Sequence, residues 1–136
     1  MGNDGSTNEE YSKLEQDAMD LVTRFCDAWA ERDVEKLIPY IAEDLEYQMY
    51  EGRPDIVGHD EFRKELGGWL QGLKEVKWDI TRQYATGELV INERVDHFIS
   101  EDPKKTFHLP IAGVFLVRDG KIQMWKDYSY PSDQSW

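Results

Sequence analysis

Three charged residues on two predicted strands have the types and spacing needed for acid–base chemistry. Arg94 and Asp96 are two residues apart in the segment 89–100, where apolar and β-branched residues alternate as in a β-strand. Residues two apart in a strand share a face, so the guanidinium and the carboxyl can hydrogen-bond to each other or to a shared partner. Asp127 shares a face with Trp125 on a second such strand near the C-terminus. An exposed ion pair on the solvent face is the alternative interpretation of Arg94 and Asp96.

Two carboxyls around one guanidinium would differ in pKa if Asp96 and Asp127 faced one pocket with Arg94 between them. The less well compensated carboxyl would stay protonated as an acid, while the other would stay ionised as a base. Tyr47, on a short strand predicted over 45–50, can donate or accept one further hydrogen bond there. This arrangement would place a general acid and a general base at one site.

The order of the predicted elements, helices first and hairpins afterwards, is typical of the α+β class. Ser12 and Glu15 form a capping box that begins the first helix, and a short second helix over 34–41 contains Pro39, which strains it. A third helix begins near His59. The strands of a long antiparallel meander follow, over 76–84, 89–100, 105–118 and 121–130. A long sheet with helices on one side can curl around a single cavity.

Composition excludes several classes of partner. The chain has 136 residues and a formal net charge of −12, so nucleic acid and anionic membrane surfaces would be repelled. No apolar run approaches the ~20 residues of a membrane span. We expect a flexible tail over 1–11 and a single domain over 12–136. The single Cys26 favours a reducing compartment, and we expect a cytoplasmic protein.

Neither a metal nor a cofactor is expected. The three histidines are scattered without metal-ligand spacing, and no phosphate-binding glycine motif is present. The expected partner is a small apolar or aromatic substrate, since 12% of the residues are aromatic and such side chains line apolar sites. The candidate substrate-binding residues are Met49, Trp69, Asn92, Phe98, Phe115 and Trp125, with Tyr50 and Trp78 as further aromatic candidates.

Several separated motifs resemble a single family. The run Asn-Glu-Arg-Val-Asp at 92–96 and the run Trp-Lys-Asp-Tyr at 125–128, together with 36–44 and 47–48, resemble the limonene-1,2-epoxide hydrolase family of the SnoaL-like and nuclear transport factor 2-like superfamily. The resemblance implies a cone-shaped fold, in which three N-terminal helices pack on the concave side of a curved mixed or antiparallel sheet around a deep apolar pocket. It also implies a homodimer formed through the sheet.

The resemblance further implies a role for each matching residue. Hydrolysis in this family is a single step without a covalent intermediate. By resemblance, Asp96 is the general acid that protonates the epoxide oxygen, and Arg94 holds the two carboxylates. Asp127 is the general base that takes a proton from the attacking water, and Tyr47 helps to fix that water. These roles agree with the chemistry, because a strained ether must be protonated as its C–O bond breaks.

One position departs from the family. Its members have a Tyr-Gln-Asn run whose Asn holds the water, whereas this chain has Met49 after Tyr47 and Gln48. A thioether is a weak acceptor and donates nothing. Either another residue holds the water, with Asn92 and Gln123 as candidates, or the same acid and base catalyse a reaction without a water nucleophile. A retro-aldol type lyase, an isomerase and an intramolecular epoxide opening are the alternatives of that second kind.

A non-enzymatic binding or dimerisation module is a third interpretation of the chain. A pocket that buries two acids and an arginine is costly without a purpose, which counts against it. An epoxide hydrolase therefore remains the first hypothesis from the sequence, and a lyase or isomerase at the same site remains the second.

Overall fold

The structure is a computed structural model that describes residues 10–129. In this range the helices are α1 Lys13–Ala28 and α2 Gly58–Gln71, and the strands are β1 Ile41–Gln48, β2 Ile56–Val57, β3 Glu75–Thr86, β4 Leu89–Ile99, β5 Phe107–Arg118 and β6 Lys121–Ser129. Residues 1–9 of the predicted tail lie outside the described range, whereas Tyr11 is half-buried and packs against the core.

The six strands form one mixed sheet in the order β2-β1-β6-β5-β4-β3. β1 runs parallel to β6, and every other pairing is antiparallel. Register shifts interrupt three of these pairings, and such bulges bend strands and increase their twist. The buried faces of α1 and α2 join the inward residues of the sheet in one core. The predicted α+β class and the meander of the last strands are confirmed.

The first helix begins where the capping box predicts. Ser12 Oγ accepts from the Glu15 N–H at 3.1 Å, and the Glu15 carboxylate accepts from the Ser12 N–H at 2.9 Å. The second Glu15 oxygen accepts from the Gly87 N–H at 2.7 Å, which fixes the start of α1 to the β3–β4 turn. Phe25 and Val22 bury the opposite face of the helix, as the helical spacing of its apolar residues requires.

The helix predicted over 34–41 takes a different form. The chain makes two 3₁₀ turns, Val34–Lys36 and Ile38–Tyr40. The Asp33 side chain begins the first turn by accepting from the Glu35 N–H at 3.0 Å. Pro39 lacks the N–H that an α-helix would use, so the two turns do not join into one α-helix. β1 consequently begins at Ile41 rather than at the predicted position 45.

The β5–β6 hairpin turns on Asp119 and Gly120, which both have positive φ, at 53° and 73°. This is the pattern of a tight primed turn, whose twist matches that of the flanking strands. Such turns fix register, and register decides which side chains of a strand face the core.

Candidate active site

Strand β4 presents three polar side chains to the interior. Asn92 and Arg94 are 0% exposed and Asp96 is 3% exposed, while the intervening residues point outward and are partly exposed. The interpretation of Arg94 and Asp96 as an exposed ion pair is therefore wrong. β3 and β5 flank β4 on both sides, so these side chains lie near the middle of the antiparallel part of the sheet.

Arg94 binds both carboxylates. Its Nε donates to Asp96 Oδ1 at 2.8 Å and its Nη2 donates to Asp96 Oδ2 at 3.2 Å. The same Nη2 donates to Asp127 Oδ2 at 2.8 Å. Nη1 turns the other way and donates to Asn92 Oδ1 at 3.1 Å. The two acids are thus bridged by one planar guanidinium, which is a geometry that arginine provides and lysine does not.

Asp127 has a second buried donor. Trp125, on the same face of β6, donates its indole N–H to Asp127 Oδ1 at 2.8 Å. The Tyr47 ring stacks on Trp125, with the ring centroids 3.7 Å apart and 8° between the planes. The parallel pairing of β1 with β6, which places Tyr47 opposite Trp125, brings this tyrosine beside the second carboxyl.

Two neighbours shape the space around the guanidinium. Its carbon lies 4.2 Å from the centre of the Trp78 ring, a cation–π contact. On the other side Gly113 of β5 is paired with both Asn92 and Asp127, and a Cβ at this position would overlap Arg94 Nη1. A larger residue at Gly113, where three strands converge on the arginine, would therefore have to displace the guanidinium.

Burial raises the pKa of both carboxyls. Desolvation is the largest cause at Asp96, and although Arg94 opposes it, the Asp96 pKa rises to about 7. Burial also raises the Asp127 pKa, against the opposing effects of Arg94 and of the Trp125 hydrogen bond. Burial disfavours the Arg94 charge, but the two carboxylates outweigh it and the Arg94 pKa is raised. One proton shared between the carboxyls would make the buried group neutral, as expected for an acid–base pair.

The two carboxyls open onto an apolar cavity of about 490 Å³. Six of the ten predicted site residues line it, namely Tyr47, Met49, Trp69, Asp96, Phe98 and Asp127. The cavity lies between α2, the inward face of the sheet and the loop after β1, and it has the size and lining of a small-molecule site.

The other four predicted residues lie behind the cavity wall. Arg94 is in contact with the carboxylates and not with the cavity, and Asn92 lies beyond Arg94. Phe115 and Trp125 are both 0% exposed, and their rings stack 5.7 Å apart. Asn92, Phe115 and Trp125 were predicted to bind substrate, but their positions support the residues that line the cavity instead.

Met49 lines the cavity just beyond the end of β1. Its sulfur accepts a weak hydrogen bond from Arg53 Nη1 at 3.5 Å, and Arg53 also pairs with Glu65 of α2. Neither alternative holder of a water takes its place. Asn92 is engaged with Arg94, and the Gln123 amide donates to the Asp44 carboxylate at 2.7 Å. Regular alternation along β6 would place Gln123 on the face of Trp125 and Asp127, but the register shift between β5 and β6 at Leu116/Val117 turns it away from that face.

Several lining residues lie outside the predicted set. Trp29 ends α1 and stacks on Trp78, with ring centroids 4.1 Å apart. Phe107, Leu109 and Ile111 of β5 also reach the cavity, and their alternate spacing is the sequence signal that identifies a shared strand face. Trp29 carries no comparable signal, because its helical spacing is equally that of an ordinary core residue.

Among residues 10–129, no group of three or more His, Cys, Asp or Glu side chains has the arrangement of a metal site. Within the same range no helix is long and apolar enough to cross a membrane.

Comparison with known proteins identifies the family. A family model described as a SnoaL-like domain matches residues 22–125, and the chain therefore belongs to the SnoaL-like family. The predicted cone-shaped, nuclear transport factor 2-like fold is thereby confirmed.

Solved structures agree with that assignment. An LEH-like epoxide hydrolase from M. tuberculosis is 28% identical, with a TM-score of 0.75 over 88% of this chain and 83% of the other. A protein from Xanthomonas campestris pv. campestris described as a polyketide cyclase is 26% identical, with a TM-score of 0.72 over 88% and 93%. A protein from Jannaschia sp. CCS1 described as a SnoaL-like polyketide cyclase shares the fold at 12% identity, with a TM-score of 0.74 over 94% and 91%.

Proposed function

We propose that this protein is a cofactor-free epoxide hydrolase that opens a small hydrophobic epoxide with water in one step. The observation that carries the proposal is the buried Asp96–Arg94–Asp127 group, whose two carboxyls face an apolar cavity of about 490 Å³. The similarity to an LEH-like epoxide hydrolase supports it.

Asp96 is the acid in this proposal. Its pKa of about 7 keeps a large fraction of the carboxyl protonated at neutral pH. As the epoxide C–O bond breaks, Asp96 gives its proton to the leaving oxygen, which becomes the first hydroxyl of the diol. The carboxylate that remains is held by both Nε and Nη2 of Arg94.

Asp127 is the base. It takes one proton from water while the water oxygen bonds to the epoxide carbon, and this oxygen becomes the second hydroxyl. Donors on both Asp127 oxygens, Trp125 and Arg94, favour the ionised form that a base requires. Tyr47 lies beside this carboxyl and supplies a hydroxyl to orient the water. Return of the proton from Asp127 to Asp96 restores the starting state.

Met49 favours a second candidate function, a lyase or isomerase that uses the same acid and base. A thioether at the cavity wall cannot donate to a water, and its sulfur already accepts from Arg53. A retro-aldol type cleavage or an isomerisation needs proton transfer at two positions of an apolar substrate and no water nucleophile. The same Asp96 and Asp127 would shuttle those protons.

The test is a single turnover of a panel of small hydrophobic epoxides with excess enzyme in ¹⁸O-labelled water. Direct attack by water predicts a diol that carries the label in the first turnover, and loss of product in Asp127→Asn. An unlabelled first diol would mean that a carboxylate is the nucleophile, which contradicts the proposal.

The matched control is Asp44→Asn, which neutralises an exposed carboxylate on β1 and should retain turnover. If a folded wild-type protein gives no diol from any epoxide, a lyase or isomerase becomes the better hypothesis. Binding of apolar ligands without any turnover would favour a non-enzymatic module.

We also propose that the protein forms a homodimer through the outer face of the sheet. Tyr84, Ile91 and Tyr128 lie on that face and are 49%, 39% and 38% exposed. Apolar residues grouped on a sheet face are typical of an interaction surface. Light scattering during size-exclusion chromatography should give a dimer mass for the wild type and a monomer mass for Ile91→Lys with Tyr128→Lys. A monomeric wild type would contradict the proposal.

A further inference from the structure

Arg94 donates to three side chains, and only two of them belong to the proposed reaction. The third is Asn92, which is 0% exposed and accepts from Arg94 Nη1 at 3.1 Å. Asn92 is not among the residues that line the cavity. Any effect of Asn92 on the reaction must therefore be exerted through Arg94.

The hydrogen bonds continue from Asn92 into the helical layer. Asn92 Nδ2 donates to Gln83 Oε1 of β3 at 3.1 Å. Gln83 Nε2 in turn donates to Thr23 Oγ1 of α1 at 2.9 Å and to the Met19 carbonyl at 3.4 Å. A line of side chains thus joins α1 to the guanidinium through two adjacent strands.

The donors and acceptors along this series of hydrogen bonds can be arranged in only one order. A guanidinium has donors alone, and the carbonyl of Met19 can only accept. Gln83 must therefore turn its NH₂ group to the helix and its oxygen to Asn92. Asn92 must then turn its NH₂ group to Gln83 and its oxygen to Arg94. A flip of either amide would oppose two donors or two acceptors in a buried site, which costs free energy.

We propose that the Asn92–Gln83 amide pair is a positioning device that sets the plane of the Arg94 guanidinium so that it can bind both carboxylates. A guanidinium is planar, so a fixed Nη1 also fixes Nε and Nη2. Asp96 has a two-bond pairing with Arg94 and can move with it, whereas Asp127 is bound through Nη2 alone. Asp127 is therefore the carboxyl that depends on the amide pair.

The test measures this dependence without turnover. Carbon-13 NMR titration of the aspartate carboxyls, assigned with Asp96→Asn and Asp127→Asn, gives the pKa of each acid. In Asn92→Leu we expect the Asp127 pKa to rise by about half a pH unit or more, because a tilted guanidinium compensates this carboxylate less well. Gln83→Leu should shift the Asp127 pKa in the same direction by a smaller amount. In that variant Asn92 still accepts from Arg94 but loses its hydrogen bond to Gln83.

The control is Gln123→Leu, which removes an amide that binds Asp44 at the surface and should leave both titrations unchanged. Unchanged carboxyl titrations in folded Asn92→Leu and Gln83→Leu would overturn the inference. Gln83 lies at the edge of the network and is only half-buried, so Gln83→Leu decides the question if Asn92→Leu does not fold.

The effect on catalysis rests on the proposed function. If the protein hydrolyses epoxides, Asn92→Leu should lower kcat about ten- to a hundredfold while KM changes little, since misplaced catalytic groups cost rate rather than binding. A wild type that hydrolyses no epoxide would defeat the proposed function, and the NMR titration would still decide the role of the amide pair.

Discussion

The indole N–H of Trp125 donates to Asp127 Oδ1 at 2.8 Å, so that the buried base of the proposed reaction is stabilised by a neutral tryptophan as well as by Arg94. Burial alone would favour the protonated carboxylic acid. Two donors, one on each oxygen, oppose that tendency. The tryptophan was predicted to contact substrate, but its N–H tunes the base.

Trp125→Phe should therefore raise the Asp127 pKa and weaken the base at low pH. The lost hydrogen bond to a charged group costs roughly 1.5–3 kcal/mol. We expect kcat/KM for diol formation to fall about tenfold or more at pH 6, with less loss at higher pH. A pH–rate profile measured for both proteins gives the result, and a profile that is lowered equally at every pH would contradict this explanation.

Trp29→Phe is the control for Trp125→Phe, because it tests the loss of ring volume without the loss of the hydrogen bond to Asp127. The Trp29 N–H is buried and has no hydrogen-bond partner among residues 10–129. Its replacement removes similar ring volume without removing a hydrogen bond. Trp29→Phe should therefore lower stability, but the fall of kcat/KM below neutral pH should occur at the same pH as in the wild type.

The raised Asp96 pKa predicts an alkaline limb in the rate profile. An acid must be protonated to act, and the Asp96 pKa is about 7 because burial disfavours its charge. We expect kcat/KM to fall as pH rises through about 7. The measurement is kcat/KM from pH 5 to 9, and a profile that is flat across pH 7 would mean that Asp96 is not the proton donor.

The same pKa predicts how stability depends on pH. In the unfolded chain the Asp96 pKa is near 3.8, while in the folded chain it is about 7. Between these values the folded state holds the extra proton, so this group's contribution to stability falls as pH rises from about 4 to about 7. The loss is on the order of a few kcal/mol. Denaturant unfolding of wild type and Asp96→Asn at pH 4.5 and 7.5 should show a smaller decrease in the variant. An equal decrease in both proteins would exclude Asp96 as its source.

Much of the site could be predicted because inward and outward residues alternate along β4 and, from Trp125 onward, along β6. Arg94 and Asp96 follow a period of two, as Trp125 and Asp127 do, and the antiparallel pairing around these residues is regular. A tight turn such as that at Asp119-Gly120 fixes register without help from distant residues. The shared face of Arg94 and Asp96 could be predicted for this reason, whereas the alternation left open whether that face points to the interior or to solvent.

The remaining features depend on which strands become neighbours. Gly113 looks like an ordinary strand glycine in the sequence, and its importance follows only from the convergence of Asn92 and Asp127 upon it. The Gln83 amide joins the network because β3 pairs with β4 at that register. Gln123 was misplaced because a bulge changes the period of β6 near its start, and a bulge has no reliable sequence signal.

Gly113→Ala should displace the guanidinium. The added Cβ would overlap Arg94 Nη1 and lie 3.0 Å from Asn92 Oδ1. Overpacking of a buried site costs typically 1–3 kcal/mol of stability. A shift of the arginine should also lower kcat by about a hundredfold. Thermal unfolding and steady-state kinetics check both effects.

Gly68→Ala is the matched control for that substitution. Gly68 lies in α2, and a Cβ there would meet no atom within 4 Å. An alanine in place of a helical glycine should stabilise the protein by about 0.5–1 kcal/mol. If both variants lost activity to the same extent, the effect of Gly113→Ala would not come from the contact with Arg94.

Met49→Asn tests whether the water site limits hydrolysis. Met49 lines the cavity with Asp127 and Tyr47, and an amide there would offer both a donor and an acceptor to a water. One added hydrogen bond in the transition state corresponds to about 1 kcal/mol, or roughly a fivefold rise in kcat for diol formation. Met49→Leu keeps an apolar side chain of similar volume and should leave that rate unchanged. A fall in kcat with Met49→Asn would show that the wild-type cavity already orients its water. Diol formation by Met49→Asn and not by the wild type would indicate that the native reaction uses no water nucleophile.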